Sequence, residues 1–171
     1  VIGDGALTGG MAYEALNNAA SLNKNFVIVL NDNKMSISEN VGGISSYLSN
    51  LRTAESYTDL KSEVKKTLNK VPGIGPVMVQ RIHKTKDSIK QLMIPGMFFE
   101  DMGIKYLGPV NGHDCGRMIQ IFQEAKKVNG PVLVHVQTEK GRGYEPARKH
   151  PARFHGTSAF NLEHGIPLKT G

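Results

Sequence analysis

A single cysteine, Cys115, stands in a chain of 171 residues. That excludes an intramolecular disulfide framework and suits a reducing compartment. Nowhere does the chain hold the ~18 consecutive apolar residues that a membrane span requires. A signal peptide is missing too, since no basic segment precedes an apolar run; the chain opens inside a strand, and its true start is expected upstream. No internal repeat or low-complexity tract appears, which sets aside a repeat architecture. Acidic residues are the scarcer sign, 15 Asp and Glu against 21 Lys and Arg, for a formal charge of +6. That excess fits nucleic acid, a phosphorylated ligand, or a basic piece of a larger and more balanced protein. Charge alone does not choose. What is present, 39% apolar and 21% charged residues, is ordinary for one globular domain with its own core.

The opening VIGDGALTGG runs from β-branched residues into a carboxylate fenced by glycines. From Thr8 to Leu22 the pattern is helical, with Met11, Ala15, Leu16 and Ala19 at spacings of three and four. Asn23-Lys24-Asn25 ends that helix, and FVIVL (residues 26–30) is the unbroken apolar run expected of a parallel strand covered on both faces. Further on, IKYL (104–107), a helix from about Asp114 to Val128, and VLVHV (132–136) repeat the alternation. Four strands with helices between them predict an α/β fold, a doubly wound and mostly parallel sheet truncated at its N-terminal side. Residues 36–102 break the alternation and read as an insertion of loop and helices, the helices near 59–68 and 76–92. Within it, 40–58 carry few large apolar groups and are expected to be poorly ordered, or to have high B-factors, when cofactor is absent. Residues 141–171, rich in Gly, Pro, Arg and His, read as an extended linker after a domain of 1–140.

Asp4 and Asn33 close consecutive parallel strands, FVIVL ending in Asn31-Asp32-Asn33. Ligands of open α/β sheets bind at that end of the strands. A carboxylate, an amide oxygen, a backbone carbonyl and phosphate oxygens together suit a hard cation such as Mg²⁺. The glycines let a diphosphate sit on the backbone, and the helix after Gly5-Ala6-Leu7 turns its positive end toward it.

GDG followed by NDN at this spacing resembles the thiamine-diphosphate motif of transketolases and pyruvate dehydrogenases. GDGALTGGMAYEALNNA, NDNKMSISENVGGIS, FFEDMGIKYLGPVNGHD and KGRGYEPA, in that order, together with VPGIGP and KDSIKQLMIPG, narrow it. They resemble the 1-deoxy-D-xylulose-5-phosphate synthase family over nearly the whole chain. The resemblance implies a thiamine-diphosphate-binding fold with Mg²⁺ held by Asp4, the Asn33 side chain and the Met35 carbonyl. It implies that Gly5, Ala6 and Asn33 lie against the cofactor and that Lys140 and Tyr144, in KGRGY, close over it. The implied enzyme is a transferase that condenses pyruvate with D-glyceraldehyde 3-phosphate, releasing CO₂, in isoprenoid, thiamine and pyridoxal precursor synthesis. It is a homodimer with small-molecule substrates and neither nucleic acid nor membrane as partner. The compartment implied is the cytoplasm of a bacterial-type protein, or a plastid if a leader precedes the chain.

Such enzymes also use a glutamate from a separate pyrimidine-binding domain and histidines upstream of GDG, and both are absent from these residues. The chain is therefore expected to be part of a diphosphate-binding domain, inactive alone. No residue is assigned a catalytic role; His155, in RFHG, is the one candidate. His113, in NGHD, is expected to cap or buttress the next helix, and His135 lies within a strand. Two alternatives stand beside this reading. One is another thiamine-diphosphate enzyme such as a transketolase. The other is a nucleic-acid-binding helix-hairpin-helix at 68–86 (LNKVPGIGPVMVQRIHKTK), with Lys70, Arg81, Lys84 and Lys86 against a phosphate backbone.

Overall fold

The computed structural model describes residues 1–53 and 97–168. Four strands form one sheet: β1 (Ile2–Gly3), β2 (Phe26–Asp32), β3 (Lys105–Asn111) and β4 (Pro131–Gln137). Their order is β1-β2-β4-β3 and every pairing is parallel, so the last strand in sequence lies inside the sheet. The helices are α1 (Gly10–Leu22), α2 (Gly43–Thr53), α3 (Met97–Asp101), α4 (Cys115–Ala125) and α5 (Glu145–Lys149). The helical insertion segments expected near 59–68 and 76–92, and the hairpin-like segment 68–86, lie outside the described residues.

Strand parity sorts the core into two layers. On one face Leu30, Tyr106 and Leu133 pack against Leu16 of α1, Leu48 and Leu51 of α2, and Phe99 of α3. On the other, Val132, Val134 and Val136 of β4 pack with Leu107 and Val110 against Ile121 and Ala125 of α4. Helices thus cover both faces, as a doubly wound sheet requires. The central β4 is buried from Pro131 to Val136. β2 is not buried throughout: Phe26 and Val27 are 56% and 39% exposed. The two-residue β1 reaches only Leu30 and Asn31, so it leaves the start of β2 without a neighbour on that side.

Three expectations change. The helical pattern from Thr8 opens with a separate 3₁₀ turn, Asp4–Thr8, before α1 begins at Gly10. Within α1, Leu16 and Ala19 of the predicted stripe face the core and Ala12 joins them, whereas Met11, 82% exposed, and Ala15 do not. Residues 43–53, expected in a poorly ordered loop, form α2, because Ile44, Tyr47, Leu48 and Leu51 make a stripe at helical spacing that the flanking serines and glycines obscure. The third change is in the segment expected to be an extended linker. It carries α5, a cluster of Tyr144, Phe154 and Phe160 with centroids 5.1–6.0 Å apart, and a bridge between Phe160 and Pro167. Those three rings bury one another, which offsets the entropy of folding so polar a stretch.

Candidate functional site

Where β1 ends, Asp4 enters the 3₁₀ turn with only 2% of its surface exposed. Its Oδ2 accepts a hydrogen bond from Asn40 Nδ2 at 2.8 Å. Burial, and then the neighbouring carboxyl of Asp32, push the Asp4 carboxyl above the ordinary range, opposed by the backbone N–H groups of Asn33 and Gly5. Asp32 ends β2 and is 1% exposed. Burial alone would raise its carboxyl too. Hydrogen bonds from His135 and Arg52, with the Arg52 charge, instead hold it down at about 2.

Asp32 anchors a buried chain of polar groups. Arg52 Nη1 of α2 donates to both its oxygens at 2.7 Å, and Lys34 N–H donates to Oδ1 at 3.2 Å. His135 Nε2 lies 2.9 Å from Oδ2, and Nδ1 lies 2.7 Å from the Tyr106 hydroxyl. A carboxylate only accepts, so the Nε2 facing Asp32 carries a proton, and the ring bridges Asp32 and the Tyr106 hydroxyl. Burial, and then Tyr47 and Asp32, raise the Tyr106 hydroxyl and keep it a donor.

After Asp32 the chain turns into a small hairpin. Asn33 Oδ1 accepts from Met35 N–H at 3.0 Å, Met35 bridges Glu39, and Asn40 N–H donates to Lys34 O at 3.2 Å. This loop lies against Gly5: a Cβ there would come 2.9 Å from Ser36 Cβ, so the missing side chain makes room for the loop. Ala6 is exposed beside it. Lys140, after β4, reaches across to donate to Ser36 O at 2.8 Å, and its Nζ is 3.0 Å from His155 Nδ1.

The structure therefore brings together Asp4, Gly5, Asn33 and the loop of Met35, with Lys140 joining that loop at Ser36 to His155. Tyr144 is placed apart by its hydroxyl, which donates to Leu162 O at 2.7 Å while its ring joins the C-terminal aromatic cluster. His113 does not cap α4. Asp114 does, accepting from Arg117 N–H at 2.9 Å, while His113 Nε2 accepts from Glu139 N–H at 2.8 Å and braces the exit of β4. Asp32, Arg52, Tyr106 and Asn40 escaped the sequence reading. Parity offered a signal for Asp32, since Ile28, Leu30 and Asp32 share one face of β2. Nothing local announces Arg52 or Asn40.

The oxygen donors of Asp4, Asn33 and the Met35 carbonyl have the chemistry of a hard-cation site, and a loop seated on a side-chain-free Gly5 gives it a close-packed floor. Among the described residues no three His, Cys, Asp or Glu gather as a metal centre. A set of one carboxylate, one amide and one carbonyl is of another kind.

An all-parallel sheet wound with helices on both faces, its polar residues gathered at the carboxyl ends of its strands, is an α/β domain of the ligand-binding type. The sequence pattern of 1-deoxy-D-xylulose-5-phosphate synthase matches residues 1–138, and the chain belongs to that family. It is 53% identical over 169 residues to the synthase of Lachnoclostridium phytofermentans, and 55% identical over 169 residues to that of Desulfitobacterium hafniense. Against the synthase of Carboxydothermus hydrogenoformans it is 51% identical over 169 residues. Each match covers 99% of this chain and 27% of the relative, so the chain spans about a quarter of the length of these proteins. Family membership narrows the reading past transketolases, and residues 68–86 fall inside the matched span. No helix of the described residues is long and apolar enough to cross a membrane.

Proposed function

We propose that this chain is part of the metal- and diphosphate-binding domain of a 1-deoxy-D-xylulose-5-phosphate synthase, with residues 1–140 in that domain and 141–171 leading toward a pyrimidine-binding domain. The whole enzyme is a cytoplasmic homodimer that joins pyruvate to D-glyceraldehyde 3-phosphate with loss of CO₂. The observation that carries this is the burial of Asp4 at a strand end, against a loop holding Asn33 and Met35, in a chain of this family.

In this reading Asp4, the Asn33 amide oxygen and the Met35 carbonyl hold Mg²⁺, and the metal's charge offsets that of the diphosphate. Gly5 and Ala6 supply backbone along the diphosphate and Lys140 flanks it after β4, while Tyr144, its hydroxyl on Leu162 O and its ring on Phe154, supports that segment from the C-terminal aromatic cluster. Thiamine diphosphate, when bound, supplies the chemistry that makes pyruvate lose CO₂. The protein's share is to bind and orient. Lys140 donates to His155 Nδ1, which leaves Nε2–H as the group that His155 offers outward. That makes His155 the candidate for proton handling on this chain.

The test is Asp4→Ala in the full-length protein. Calorimetry should show that Mg²⁺-dependent binding of thiamine diphosphate is lost while the circular dichroism is retained, because a side chain at a strand end outside the apolar core leaves no large cavity. Unchanged cofactor affinity in that variant would overturn the assignment.

A further inference from the structure

We propose that Asn40 is a positioning residue for the metal: its side-chain amide ties the Asp4 carboxylate to the loop that carries Asn33 and Met35. The inference rests on the metal reading above and extends it to a residue outside the donor set.

The loop 33–40 is tied down along its length. At its start Asn33 Oδ1 accepts from Met35 N–H at 3.0 Å, and at its finish Asn40 Nδ2 lies 2.8 Å from Asp4 Oδ2. In between, the loop rests on Gly5, and Lys140 donates to Ser36 O at 2.8 Å. Asn40 does not dangle from this loop. Its N–H donates to Lys34 O at 3.2 Å and its carbonyl accepts from Ser45 Oγ at 3.0 Å, at the entry to α2. The side chain that reaches Asp4 therefore starts from a backbone fixed on both sides.

A carboxylate that serves a metal must present its oxygens in one orientation, and hydrogen bonds from groups outside the ligand set supply that order. Asp4 needs it more than most, because burial and the nearby carboxyl of Asp32 both work against its charged form. Asn40 is a neutral donor to it. It fills one oxygen's hydrogen-bonding capacity without adding charge, and it couples the Asp4 rotamer to the position of the Met35 carbonyl. Removing the amide frees the carboxylate to turn while the fold around it stays.

The probe is Mn²⁺, titrated by electron paramagnetic resonance into the full-length protein with thiamine diphosphate present. Asn40→Ala should weaken Mn²⁺ binding about tenfold, the lower end of what loss of an outer-shell partner brings. Its melting temperature and circular dichroism should stay close to wild type. Ser45→Ala removes the bond to the Asn40 carbonyl but leaves the amide on Asp4, and it should bind Mn²⁺ within twofold of wild type. Asn40→Ser, too short to reach Asp4, should behave as Asn40→Ala and serves if that variant does not fold. The proposal is overturned by Mn²⁺ binding within twofold of wild type in the folded Asn40 variant. It is overturned equally by Ser45→Ala weakening Mn²⁺ as much, or by both Asn40 variants failing to fold, since each makes Asn40 a part of loop folding. Asp4→Ala separates the two readings. Tight Mn²⁺ binding in Asp4→Ala sinks the metal site itself, whereas its loss there with normal binding in Asn40→Ala sinks only the role of Asn40.

Discussion

Asp4 and Asp32 are neighbouring buried carboxyls that their surroundings push in opposite directions. The difference is the partners: Asp32 has a guanidinium and an imidazole, Asp4 an amide and two backbone N–H groups. Because the folded carboxyl of Asp32 sits at about 2 against an ordinary 3.8, its contribution is present above pH ~4 and is lost as pH falls toward 2. The size of that contribution is roughly 2 kcal/mol. Arg52→Met should cost about 3–5 kcal/mol at pH 7, since it strips the cation from a buried carboxylate rather than removing both. Urea unfolding at pH 7 and across pH 2–4 checks both halves: the variant should start lower and lose less to acid than wild type. Equal stability at pH 7 would show that the ion pair is not stabilising.

At the scale of elements, α2 links the hydrophobic core to the site. Leu48 and Leu51, 1% and 3% exposed, bury one side of it, while Arg52 on the next turn holds Asp32. Leu48→Ala should therefore cost about 2–5 kcal/mol. It should also speed hydrogen exchange in the loop 33–40, whose far end runs into α2. Exchange unchanged in that loop would mean that helix and loop are mechanically separate. The strands were legible before the structure because long apolar runs such as VLVHV have few alternatives once both faces must be covered. That Asp4 and Asn33 follow strand ends on one edge of the sheet was legible because parallel strands all point their carboxyl ends the same way. α2 was not, because its serines and glycines dilute the stripe that packing selects. The bonds of Arg52 and Asn40 were not either: each joins positions far apart in sequence, where no local spacing leaves a trace.

At the scale of the molecule, a chain that covers 27% of its relatives' length is expected to bind without turning over. The proton-transferring glutamate and the walls of the pyrimidine pocket belong, in the proposed reading, to a domain beyond these residues. General acid–base help of that kind is worth roughly 10²–10⁴-fold, and lost orientation of the cofactor costs more. CO₂ release from pyruvate, assayed with glyceraldehyde 3-phosphate, thiamine diphosphate and Mg²⁺, should be absent for a sample shown by mass to hold only these 171 residues. Turnover within about tenfold of a full-length relative, less than the ~10²-fold that one lost acid–base group costs, would refute the reading.

The strand order has a further consequence, for how the protein is made. β4 comes after β2 and β3 in the chain, yet it lies between them in the sheet. Until it emerges from the ribosome, its two neighbours have no partner on their inner edges. The bond from Gly130 N–H to Asn25 Oδ1 spans 105 positions, and the links of His135 to Asp32 and Lys140 to Ser36 span 103 and 104. Contacts of such range form slowly, because the intervening chain must be closed into a loop first. A nascent chain stopped before residue 131 exposes two apolar strand edges, the kind of surface that invites aggregation or a chaperone. Of the groups at the strand ends, His135 on Asp32 and Lys140 on Ser36 join only when β4 closes the sheet, so the site gains its last two supports in that step.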